Sequence, residues 1–143
     1  MYTGIYIISV FFTLMSRSPS PFLCLTGLSY LLPMYVAYAN GHYWTSGASL
    51  FLALTSVGFH WTHREDILAV DRLAILQYFA CSIYESRGWS AVSTSVSVAY
   101  CLVAYFLGQT YSIMCFDPNP NVQSLFHAMI HLSTATSAVL AVA

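Results

Sequence analysis

Charge is nearly absent from long stretches of this chain. No lysine, arginine, aspartate or glutamate lies between Arg17 and Arg64, and only 6% of the 143 residues are charged while 58% are hydrophobic. Soluble domains carry about 25% charged residues, so this chain has too little polar surface to face water on all sides. A mean hydropathy of +0.68 agrees, and an integral membrane protein is the expected class. The formal charge of −1 and the absence of a basic run argue against nucleic-acid binding. Cys24, Cys81, Cys101 and Cys115 stand singly in apolar stretches. They read as small packing residues rather than a disulfide framework or a CxxC metal site. The first residues lack the basic region of a secretory signal and read as an uncleaved anchor.

A hydrocarbon core about 30 Å thick is crossed by about 20 helical residues. On that ruler the chain divides into a short apolar segment at 2–15 and spans at 21–39, 43–61, 66–84, 89–107 and 121–143. Arg17, Pro19 and Pro21 stop the first segment. The expected fold is all-α, an integral membrane bundle of about five transmembrane helices plus the short N-terminal apolar segment. It forms a single transmembrane domain over 1–143. Pro33 predicts a kink in its span, and Asn40-Gly41-His42 a turn. Ala91, Ser95 and Ala99, with Ser93 and Ser97, predict small-residue faces for close helix packing. Tyrosine and tryptophan near the span ends suit an aromatic belt.

This topology sorts the polar residues by depth. Ser56 and His60 fall in the last turns of one span, and Asp71 about one and a half turns into the next. His127 and His131 fall in the first half of the final span. All five therefore lie at similar depth on one side of the membrane. His127 and His131 are four apart, so both imidazoles project from one helix face. Two such nitrogens suit one zinc ion, and His60 supplies a third. Three protein ligands with one open position is the pattern of a catalytic zinc, which lowers the pKa of a bound water to about 7. Asp71 can take that water's proton. Ser56, one turn before His60, can donate to the oxyanion formed when a carbonyl is attacked.

The arrangement resembles the CREST superfamily, which includes the alkaline ceramidases and the progestin and adipoQ receptors. Its signature of S-x-x-x-H, a later Asp and a final H-x-x-x-H is filled by Ser56-Val-Gly-Phe-His60, by Asp71 in AVDRLAI, and by His127-Ala-Met-Ile-His131. The resemblance implies zinc ligands at His60, His127 and His131, with Asp71 and Ser56 around the metal-bound water. It implies hydrolysis of the amide bond of a ceramide-like membrane lipid, and a location in the endoplasmic reticulum or Golgi. Family members have seven spans and this chain has room for fewer, so the resemblance implies a short, divergent member.

Two other readings fit the sequence. One is a non-catalytic accessory subunit of a larger membrane protein assembly, as in a mitochondrial or plastid inner membrane. The other is a haem- or quinone-binding subunit using His60 with His127 or His131 as axial ligands.

Overall fold

A computed structural model describes residues 20–143; the segment expected at 2–15 lies outside the described residues. Among the described residues six α-helices follow one another: α1 (Pro21–Gly27), α2 (Leu31–Ala39), α3 (Tyr43–Thr62), α4 (Glu65–Glu85), α5 (Trp89–Tyr111) and α6 (Pro120–Val142). Two 3-10 turns, Leu28–Tyr30 and Met114–Phe116, interrupt the series, and no strand forms among the described residues.

Local chemistry places most of the boundaries. Ser20 caps α1 by accepting the Leu23 amide at 3.4 Å, with Pro21 in the first turn, where a missing N–H does no harm. Pro33 lacks the N–H that would bond the Ser29 carbonyl one turn back, and its ring crowds that carbonyl. The chain responds by tightening to the 3-10 turn at Leu28–Tyr30, so the expected kink becomes a break between α1 and α2. The turn at Asn40 and Gly41 is present, with Gly41 at φ +82°. Glu85, at the end of α4, accepts the Thr45 amide at 3.0 Å. A carboxylate there answers both an unpaired N–H and the positive end of α3.

α3 packs on α1, α2 and α4, and α6 packs on α1, α2 and α5. Although α3 and α6 flank the same partners, their Cα traces nowhere approach within 8 Å of each other. The centre is built from Tyr30, Ala48, Leu52, Ala53, Ala74, Tyr78, Ala135 and Ala138, so alanines let the helices close on two tyrosines. Those rings meet edge to face at 5.2 Å. Their hydroxyls both end on Thr134, Tyr30 on its Oγ1 at 2.8 Å and Tyr78 on its carbonyl at 2.9 Å.

Large apolar side chains such as Leu25, Leu54, Leu73, Val96, Phe106 and Leu140 point outward. Four stretches, Pro21–Ala39 and α4, α5 and α6, are long and apolar enough to cross a membrane. α3 is long enough at 20 residues but less apolar, because it carries its polar side chains on a buried face: Thr45, Ser46, Ser49, Thr55, Ser56 and His60. A central helix needs no lipid-compatible surface on that side. The chain is thus an all-α, multi-pass membrane bundle.

One expectation is corrected. The packing face of α5 runs through Thr94, Cys101, Ala104 and Gly108, while Ser95 and Ala99 are exposed. Ser97 alone of the expected set makes a polar contact across helices, to Ser137. All four cysteines are free, as single packing residues should be.

Gly108 shows what close packing demands. A Cβ there would lie 2.9 Å from the Ile113 carbonyl oxygen, whereas one at Gly47 would meet nothing within 4 Å. Gly108→Ala should therefore cost about 1–3 kcal/mol, and Gly47→Ala should stabilise by about 0.5–1 kcal/mol. Thermal unfolding of the detergent-solubilised variants checks the opposite signs.

Candidate metal centre

His60 lies in the last turn of α3, and His127 and His131 lie one turn apart on α6. Their rings fill the space between these two helices. Ring centroids stand 4.7 Å apart for His60 and His127, 5.3 Å for His60 and His131, and 4.8 Å for His127 and His131. One ring nitrogen from each lies within 4.8 Å of the others. The Ser20 amide donates to the His60 carbonyl at 3.1 Å, tying the start of α1 to the end of α3 and holding this end of the bundle together.

His60 is 2% exposed and His131 5% exposed. The Nε2 atom of His60 is buried without a hydrogen-bond partner. A buried, unpaired imidazole nitrogen is costly unless something occupies its lone pair or takes its proton. Three imidazoles this close form a donor set that suits a borderline divalent ion. The group can hold a metal ion.

His131 is held from both sides. Thr26 Oγ1 lies 3.0 Å from its Nδ1, and Ser56 Oγ lies 3.4 Å from its Nε2. The Thr26 hydroxyl also lies 3.1 Å from the Leu23 carbonyl, so it stands between its own helix and the imidazole. Gly27 makes the approach possible, since a Cβ there would lie 3.1 Å from Ser56 Oγ.

Asp71 is 7% exposed and accepts a hydrogen bond from Thr55 Oγ1 at 2.9 Å. It stands outside the three-histidine set. It shares with Ser56, His127 and His131 the wall of a cavity of about 340 Å³. Of the five residues singled out in the sequence, the structure gathers the three histidines, puts Ser56 against one of them, and sets Asp71 on the wall of the same cavity as Ser56, His127 and His131. His63 ends α3 in the left-handed conformation at φ 52° and is not part of the set.

Two contributors were not anticipated, Thr26 and Thr55. Thr55 precedes Ser56, and its hydroxyl could have been suspected as a partner for a buried carboxylate. Nothing in a single sequence distinguishes Thr26, because its partner is 105 residues away.

Comparison with protein-family models, with curated proteins and with solved structures finds no match. Fold and site together define a multi-pass helical membrane protein with a three-histidine group able to hold a metal ion.

The Thr26 contact can be tested by substitution. Groups that orient metal-ligating histidines are worth about 10–100-fold in metal affinity. Thr26→Val should weaken divalent-metal binding by that factor with the bundle still folded, and Thr26→Ser should restore it; competition with a chelator of known affinity reads both.

Proposed function

We propose that this protein is an intramembrane zinc-dependent lipid amide hydrolase of the CREST type, cleaving a ceramide-like N-acyl lipid. The observation that carries the reading is the convergence of His60, His127 and His131, with a buried His60 Nε2 that lacks any other partner. The full CREST-type residue set, Ser56 and Asp71 included, lies around one cavity or its rim. That clustering supports the reading further. The membrane of the endoplasmic reticulum or Golgi is the corresponding location.

His60, His127 and His131 would hold the zinc, with Thr26 beside His131 Nδ1 leaving Nε2 towards the metal. Bound zinc supplies Lewis acidity and a nucleophile from water near neutral pH. The remaining steps belong to the chain. The apolar wall of the cavity, with Leu52, Phe79 and Ile130, holds the acyl chain beside the histidines. Ser56 Oγ donates to the amide carbonyl oxygen as negative charge develops on it. The Asp71 carboxylate accepts the proton lost by the attacking water and returns it to the leaving nitrogen. The C–N bond breaks, giving a fatty acid and a free amine. The hydrogen bond from Thr55 keeps the Asp71 carboxyl turned in one direction through both transfers.

A haem- or quinone-binding subunit would leave Ser56 and Asp71 without a task. An accessory subunit would give the gathered histidines, Ser56 and Asp71 no common task.

Purified protein should contain about one zinc per chain by mass spectrometry, and the His127→Ala/His131→Ala double variant should contain none while remaining folded. Asp71→Asn should keep its zinc and lose about 10²–10⁴-fold in amide hydrolysis. Folded wild-type protein without zinc, and without affinity for added zinc, would overturn the reading.

A further inference from the structure

Two cavities meet at the histidine group. The inner one, about 340 Å³, is largely apolar, with Leu52, Ile75, Leu76, Phe79, Leu102 and Ile130 in its wall. The outer one, about 520 Å³, lies at the end of the bundle where α3 stops and α6 begins, and its lining includes His60, His63, Gln123 and Ser124. Phe59, Leu68, Arg72, Tyr105 and His127 belong to both, so the two are halves of one crevice. Each half has the size of a small-molecule site, which runs from about 300 to 1,000 Å³.

The crevice runs between α4 and α5. These helices are consecutive in the chain yet pack against each other sparsely, while α3 and α6 close the back. Leu76 and Leu102 line the inner half and are nevertheless 63% and 61% exposed. They form apolar lips on an opening that faces sideways, towards the lipid tails.

Charge is unevenly placed. Among the described residues the outer half is lined by one formally charged side chain, Arg72, and by no carboxylate. Asp71 lines the inner half only and is engaged by Thr55. Arg72 also forms no ion pair with a described residue, in contrast to Arg64, which is held by Asp66 at 2.6 Å. Tyr105, on α5, lines the same junction as Arg72 on α4. An arginine at a polar mouth with no ion pair to a described residue, its nearest carboxylate Asp71 engaged by Thr55, is a fork for an incoming oxyanion.

We propose that the crevice takes lipid amides whose headgroup carries an oxyanion, with Arg72 binding the headgroup and the acyl chain lying between α4 and α5. As a substrate class this rests on the hydrolase reading of the histidines. It departs from a neutral ceramide: N-acyl amino acids and phosphorylated N-acyl lipids share the required chemistry. Because Arg72 and His127 line the same junction, an anchored headgroup leaves the amide beside the histidines.

Binding separates this proposal from turnover. The full chain in nanodiscs is titrated with N-dodecanoylglycine, with its uncharged counterpart N-dodecanoylglycinamide, and with dodecyl phosphate, followed by tryptophan fluorescence. Wild-type protein should bind N-dodecanoylglycine about ten-fold or more tighter than the glycinamide. Arg72→Gln should erase that difference, Arg72→Lys should keep most of it, and the glycinamide affinity should be the same in all three, which controls for folding. Dodecyl phosphate binding as well as N-dodecanoylglycine would show that either oxyanion is accepted; weaker phosphate binding would narrow the class to carboxylates. Equal affinity for the glycine and glycinamide lipids in the wild type overturns the proposal, as does a preference that survives in Arg72→Gln. Hydrolysis is read on the same samples. Charge preference without amide cleavage would retain the anion site and refute the hydrolase, whereas cleavage without charge preference would do the reverse.

Discussion

Polar groups buried in a membrane bundle must find partners inside it, and this requirement holds the present structure together. Thr26, His131 and Ser56 form one chain of contacts through α1, α6 and α3. Thr134 gathers the hydroxyls of Tyr30 and Tyr78. At the opposite end Asn40 donates to the Val142 carbonyl at 2.8 Å, and Ser46 donates to the Met34 carbonyl at 2.9 Å. Interhelical hydrogen bonds of this type are worth about 0.6–2 kcal/mol each in a bilayer. Hydrophobic burial cannot replace them, because lipid tails are as apolar as the helices they surround.

These contacts are concentrated on one half of the bundle. α1 and α2 bind both α3 and α6 and hold the two at a separation that backbone packing alone would close. Imidazoles fill the resulting slot at one end and aromatic rings fill it further along. The other half is looser, since α4 and α5 leave a crevice between them. A well-tied wall carrying the chemistry-bearing residues thus faces an open wall carrying apolar lips. That division suits chemistry on a molecule that diffuses in the plane of the bilayer, because the reactive groups stay placed while the opening admits the chain.

The histidine group depends on residues that carry no chemistry themselves. Gly27 lets α1 come down on Ser56, Ser20 fastens the end of α3, and Thr26 stands against His131. The Thr26 hydroxyl thereby links its own helix to a histidine far away in sequence.

What the sequence determined by itself follows from periodicity and from the cost of charge in hydrocarbon. The scarcity of Asp, Glu, Lys and Arg forces a membrane bundle, and the boundaries at Pro21, Tyr43, Glu65, Trp89 and Pro120 were legible within a residue or so because caps, turns and span length are local properties. The four-residue spacing of His127 and His131 placed both on one face for the same reason. Depth along each span brought His60 and Asp71 to the same side. Tertiary structure decided the rest, since lateral neighbours are not encoded in depth. It set α3, rather than a more apolar helix, at the centre, and chose Thr94, Cys101, Ala104 and Gly108 over Ala91, Ser95 and Ala99 as the buried face of α5. It also put Thr26 on His131, Thr55 on Asp71, and Arg72 at the mouth of the crevice. Each of these is a question of which helix stands beside which. The answer comes from how side-chain volumes and buried polar groups pair across the whole bundle.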